Sequence, residues 1–195
     1  MNAQPQRTLH TYGWETWRLL QPLLGIVALM WLVEVTDRLL FGGGLDRLGI
    51  VPRQLAGLRG VVFAPWLHAS FAHLAANTIP FLVLGLLVML RHRRQFAFVS
   101  LVIVLVSGLG TWLVAPAQTI HIGASGLVFG YFAFLLVTAY FERSFAAIAL
   151  AVLVIALYGS IIWGVLPQGN GISWQGHAFG VIGGALAARH VHRQS

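Results

Sequence analysis

The chain has 195 residues, of which 58% are hydrophobic and 9% charged, with a mean hydropathy of +0.81. A soluble domain carries about 25% charged residues, so this composition excludes an ordinary soluble protein and points to a membrane. There is no cysteine, which rules out disulfides, thiolate metal sites and a cysteine nucleophile. The +7 formal charge comes from twelve arginines at the ends of apolar segments. They form no stripe interleaved with aromatics, so they read as headgroup anchors and not as a nucleic-acid surface.

Residues 1–18 carry Trp14, Glu15 and Trp17 and lack an apolar core, so they read as an N-terminal tail and not as a secretory signal. Residues 19–189 read as one membrane domain and 190–195 as a C-terminal tail. Six segments approach the roughly 20 residues that a helix needs to cross the hydrocarbon core. They are 19–41, 71–90, 96–114, 124–141, 144–166 and 174–188, the last short by that rule. The fold class expected is an all-α polytopic membrane protein with six transmembrane helices.

The first connection, 42–64, opens with Gly42-Gly43-Gly44 and is too apolar for a free loop and too short to span. An interfacial or partly inserted segment is expected, its backbone covered by protein. Arg7, Arg18, Arg91, Arg93, Arg94, Arg143, Arg189 and Arg193 lie on one side. Arg38, Arg47, Arg53 and Arg59 lie on the other, and connections 115–123 and 167–173 contain none. This asymmetry predicts both termini in the cytoplasm. Arginine without lysine, with abundant alanine and glycine, points to a GC-rich genome and a bacterial plasma membrane.

The fourth and sixth spans then enter from the outer side. Ser125 lies near the start of one and His177 near the start of the other, at matching depth by the helical rise of about 1.5 Å per residue. Gly176, Gly180 and Gly184 recur every four residues, and Gly126 and Gly130 repeat the pattern, a spacing that lets membrane helices pack backbone to backbone. Phe129 shares a helical face with Ser125 and is placed to stack on the imidazole. A serine hydroxyl needs an adjacent base, and a histidine supplies one and returns the proton to the leaving amine. Asn77 and His73, four residues apart in the second span, offer N–H donors for an oxyanion, and the Ser125 amide offers a third. No acid is placed to orient His177, so a dyad is expected.

Gly123-Ala124-Ser125-Gly126 followed by Phe129-Gly130 resembles the GxSGxxxG motif of the rhomboid intramembrane serine proteases. His68, His73 and Asn77 are similar to that family's HxxxxHxxxN segment, and His177 with Gly180 and Gly184 to its last-helix histidine. The resemblance implies a rhomboid-like six-helix bundle with Ser125 as nucleophile and His177 as base. It also implies an oxyanion site of Asn77, His73 and the Ser125 amide, supported by His68. The activity implied is endopeptidase cleavage in or near transmembrane segments of membrane proteins. One departure is visible: the family's Trp-Arg pair in the first connection is replaced by Leu58-Arg59-Gly60.

Other readings stand beside this one. Ser125 alone would be a packing residue, and Asn77 could satisfy backbone freed by Pro80. His121 would face water above the site, and His10, His92, His190 and His192 would be solvated at the cytoplasmic end. No HExxH or comparable set suggests a metal, and no cofactor is expected. Glu34 and Arg38 would neutralise each other at i, i+4. Trp31, Trp66, Trp112, Trp163 and Trp174 would be interfacial anchors. Rival functions are a catalytically silent rhomboid-like protein that binds transmembrane helices, or a small transporter. The first has no need of Ser125, His177 and Asn77 together. The second would want polar groups near the midplane of several spans.

Overall fold

The computed structural model describes residues 9–167 and 171–194, with side chains from Trp17 onward. Every regular element among them is helical, and the one strand-like feature is an isolated antiparallel bridge between Ile50 and His121. α1 runs Leu9–Thr36 and continues as a π-helical turn, Asp37–Phe41, closed by Gly42 in the left-handed conformation. After short 3-10 turns at Gly44–Leu48 and Leu55–Arg59, the one-turn helix α2 occupies Gly60–Phe63. The long helices α3 (Phe71–His92), α4 (Phe96–Val114) and α5 (Ser125–Glu142) follow. α6 (Phe145–Tyr158) gives way to a 3-10 stretch, Gly159–Val165, and α7 spans Trp174–Arg193.

Five of these segments are long and apolar enough to cross a membrane: Trp17–Phe41, α3, α4, α5 and Phe145–Val165. The chain is thus an all-α, multi-pass integral membrane protein. α7 has 20 residues, five more than the expected 174–188, so it does not fall short in length. Its glycines, Gln175 and His177 make it less apolar than the others. It tolerates them because α4 and α5 cover much of its surface, while Ile182 and Leu186 remain exposed. Helix α1 begins at Leu9, ten residues before the expected start, so part of the expected tail is helical.

α5 is the most buried of the five apolar spans and forms the centre of the bundle. Its closest partner is α7, and glycine decides how close. A Cβ at Gly180 would lie 2.4 Å from the Gly126 carbonyl oxygen, and one at Gly184 would lie 2.0 Å from that of Gly130. Gly176 sits more loosely, beside Thr111 of α4, and its carbonyl accepts a hydrogen bond from Ser107 Oγ at 2.8 Å. On the other flank α3 contributes Leu74, Phe81, Leu84 and Val88 to a core shared with Leu23 and Met30 of α1 and Tyr131 and Phe134 of α5. Apolar residues such as Leu32, Leu39, Val152 and Leu157 point outward, as a lipid-facing surface allows.

The first connection is fastened without the Trp-Arg pair. Arg38 donates through Nε to Glu34 Oε1 at 2.8 Å and through Nη2 to the His68 carbonyl at 3.0 Å, with Asp46 Oδ2 at 3.4 Å. Arg38 is therefore more than a neutraliser of Glu34. Arg53 Nη1 donates to the carbonyls of Leu113 and Ala115, and Trp112 Nε1 to that of Gln54. Trp31 likewise ties α1 to α3, through Thr78 Oγ1 at 3.2 Å and a stacked contact with Phe71. Trp31 and Trp112 are thus ties between elements. Trp163, 65% exposed, keeps the position of an anchor.

Candidate active site

Ser125 is the first residue of α5, and the chain reaches it through a constrained approach. Gly123 has φ +114, a region open to glycine alone for practical purposes. Its amide donates to the Ala64 carbonyl at 2.8 Å, and a Cβ there would lie 2.8 Å from His73 Cε1 and 2.9 Å from Nε2. Conformation and space both require glycine.

His177 is the fourth residue of α7, a helix whose N-terminus is capped by Ser173 Oγ accepting from the Gly176 amide. Its Nε2 lies 2.8 Å from Ser125 Oγ. Its Nδ1 lies 2.9 Å from the carbonyl oxygen of Gly164, in the 3-10 stretch after α6. A carbonyl only accepts, so Nδ1 carries the proton and Nε2 is left bare to accept from the serine. Phe129 lies flat against the ring, with centroids 4.0 Å apart and planes 8° from parallel. Among the described residues no carboxylate takes part. Glu34 is held by Arg38, and Glu142 pairs with Arg91 at the opposite end of the bundle.

Donors face the serine from α3. The Ala69 amide donates to His73 Nδ1 at 3.4 Å, which places the remaining ring proton on Nε2, beside Gly123. Asn77 Nδ2 gives one hydrogen to the His73 carbonyl at 3.2 Å and keeps a second. Pro80 frees the carbonyl of Ala76. Asn77 donates elsewhere, so its amide does not serve as a repair of the proline break. His73, Asn77, Ser125, Phe129 and His177 line one cavity of about 500 Å³, bordered by Ile120 to Ile122 and by Gly171 to Ser173. A space of that size, with a paired hydroxyl and imidazole on one wall and N–H donors on another, suits acyl transfer.

His68 is fully buried, edge-on to His73 at 5.1 Å, and its Nε2 accepts from the Ala124 amide at 3.4 Å. Burial, and then the neighbouring His73, lower its pKa to about 4, with the Trp66 backbone acting the other way. His68 is neutral at pH 7 and holds the residue just before Ser125.

The structure corrects the reading of His121 as a water-facing residue. It is buried, with Nε2 2.7 Å from Thr119 Oγ1 and Nδ1 2.7 Å from Ser173 Oγ. Burial lowers its pKa. It joins the connection before α5 to the cap of α7. Gly164 and Ser173 also escaped the sequence reading. Ser173 carried a signal, a serine three residues before a helical glycine. Gly164 acts through its carbonyl, and a carbonyl has no side-chain signature. In the connection before α7, Gly171 adopts φ +77, and Gly169 lies outside the described residues.

A family model described as the Rhomboid domain matches residues 56–194. The chain belongs to the rhomboid family. It is 47% identical over 174 residues to Uncharacterized protein Rv1337 of Mycobacterium tuberculosis, a match covering 85% of this chain and 72% of that one. Uncharacterized protein ML1171 of Mycobacterium leprae is 42% identical over 174 residues, 85% of this chain and 68% of its own. YdcA of Bacillus subtilis, provisionally named a rhomboid protease, is 29% identical over 121 residues, 62% of this chain and 60% of its own.

Proposed function

We propose that this rhomboid-family protein is an intramembrane serine endopeptidase that cleaves transmembrane segments of other membrane proteins. The observation that carries the reading is the 2.8 Å contact between Ser125 Oγ and His177 Nε2, in a tautomer fixed from behind by Gly164. His177 takes the hydroxyl proton as Ser125 Oγ attacks the scissile carbonyl, then returns it to the leaving amine. His73 Nε2–H, the free hydrogen of Asn77 and the Ser125 amide hold the oxyanion. Water enters through the cavity mouth and releases the acyl group from Ser125.

Depth follows from placement at helix starts. Ser125 is the first residue of α5 and His177 the fourth of α7, so at about 1.5 Å per residue the bond is cut within roughly 6 Å of the outer ends of those helices. Arg91, Arg93, Arg94, Arg143, Arg189 and Arg193 lie at the ends remote from Ser125, which supports a cytoplasmic position for those ends. A helical substrate hides its scissile carbonyl in an i to i+4 hydrogen bond and must unwind first. Cleavage therefore falls near the outer end of a single-span protein, at small residues, with Gly or Pro just beyond the cut.

The test is cleavage of a tagged single-span reporter co-reconstituted with the protein, the cut mapped by mass spectrometry. Ser125→Ala and His177→Ala should each abolish cleavage, because groups acting as one unit show non-additive losses. Substantial cleavage by both variants would contradict the reading, and scission at the cytoplasmic end would contradict the orientation.

A further inference from the structure

Three side chains from three helices converge at the end of the bundle opposite Ser125. His92 ends α3, Glu142 ends α5 and His192 lies in the last turn of α7. Glu142 Oε1 is 3.5 Å from His92 Nε2 and 4.0 Å from His192 Nε2. One donor atom from each residue lies within 4.8 Å of the other two. Both histidines are expected from sequence to be solvated, but their side chains are only 11% and 15% exposed.

Their hydrogen bonding does not close. Both Nε2 atoms are buried and have no hydrogen-bond partner. Arg91 Nη2 binds Glu142 Oε2, which leaves Oε1 turned toward the two imidazoles. The rings are held by neighbours: His92 meets Phe134 edge-on at 5.2 Å and His192 at 5.9 Å, and Phe141 lies 5.7 Å from His192. Buried polar groups of this kind are normally satisfied, so two facing orphaned nitrogens need a partner.

A divalent cation supplies it. Imidazole and carboxylate ligands sit about 2.0–2.2 Å from zinc, which in a tetrahedral site separates them by roughly 3.4 Å. The spacings found here are within a small side-chain adjustment of that. Two imidazoles with one carboxylate oxygen suit first-row transition metals better than magnesium or calcium. We propose that His92, Glu142 and His192 bind one divalent transition-metal ion of the zinc class, with water as a further ligand. The site clamps together α3, α5 and α7, the helices that carry Asn77, Ser125 and His177 at their other ends. It lies roughly 25 Å from Ser125 along α5 at about 1.5 Å per residue, so its role is structural and independent of the reaction at the serine.

The test uses the full-length chain without a polyhistidine tag, in detergent, stripped with EDTA and titrated with zinc chloride by calorimetry. Metal content is counted by mass spectrometry. The expected result is one tightly bound zinc per chain, and a rise in the thermal midpoint on adding it. His192→Ala should bind at least about 100-fold more weakly, since changes even in outer-shell partners cost 10–100-fold. His190→Ala, which alters an exposed neighbour, should bind as wild type does. Equal affinity in wild type and a folded His192→Ala, or no tight binding by wild type, would overturn the proposal. Should His192→Ala fail to fold, the wild-type midpoint decides: no shift between stripped and zinc-loaded protein overturns it.

Discussion

His177 Nδ1 lies 2.9 Å from the carbonyl oxygen of Gly164, and in the proposed dyad that contact would take the orienting part of a triad carboxylate's role. A carboxylate would stabilise an imidazolium by charge. A carbonyl offers only a dipole, but it fixes the ring's orientation and tautomer equally well. In a low-dielectric membrane interior that avoids burying a second ionisable group.

Gly164→Ala should therefore damage catalysis from a position outside the reacting pair. The added Cβ would lie 2.8 Å from Phe129 Cζ and 3.1 Å from His177 Nδ1, so the imidazole must shift. A displacement approaching 1 Å costs about 10²-fold in rate, and the expected fall in kcat is roughly 10–10²-fold with the fold intact. Reporter kinetics together with circular dichroism check this.

Asn77→Ala should lower kcat by about 10²–10³-fold, the cost of losing one preorganised oxyanion donor. The hydroxyl–imidazole pair is untouched, so the variant should still react with a fluorophosphonate, more slowly than wild type. Turnover at the wild-type rate would remove Asn77 from the mechanism.

Helix packing makes a separate prediction about stability. Gly184→Ala places a methyl group 2.0 Å from the Gly130 carbonyl oxygen, where rigid backbone must separate. Overpacking of this kind costs about 1–3 kcal/mol. At Gly25 of α1 a Cβ meets nothing within 4 Å, so Gly25→Ala should be neutral or stabilising by up to about 1 kcal/mol. Unfolding in a mixed-detergent titration should place the two variants on opposite sides of wild type, or Gly25→Ala level with it.

His68 links stability to pH. Its folded pKa of about 4 lies below the ordinary 6.5, so between those values the unfolded chain binds the extra proton. The stability it contributes is full above pH 6.5 and is lost as pH falls toward 4. Asp46 acts in the opposite sense, because burial, reinforced by Asp37, raises its carboxyl to about 6. Comparing wild type with His68→Gln isolates the histidine. The thermal midpoint of wild type should fall more steeply than that of His68→Gln between pH 6.5 and 4.

Apolar runs made most helices legible, and 96–114 coincides with α4. The ends of α1 and α7 were less so, because the first turns of α1 and the last turns of α7 are polar enough to read as tails. Ser125, His177, Asn77 and His73 stood out because polar side chains in apolar spans are costly and invite a reason. Phe129 and the paired glycines followed from helical periodicity. The groups that escaped act through backbone or through long-range convergence. Gly164 offers a carbonyl, and His121 draws its meaning from Ser173, 52 residues away. His92, Glu142 and His192 lie on three helices whose ends no local pattern brings together.

Whether His177 activates Ser125 can be read without any substrate, by labelling with a fluorophosphonate probe. The purified protein in detergent is treated with the probe and the adduct is located by peptide mass spectrometry. An adduct is expected on Ser125 in wild type, none in Ser125→Ala, and little in a folded His177→Ala. No adduct on folded wild type, or equal labelling of Ser125 with and without His177, would mean that His177 does not activate the serine.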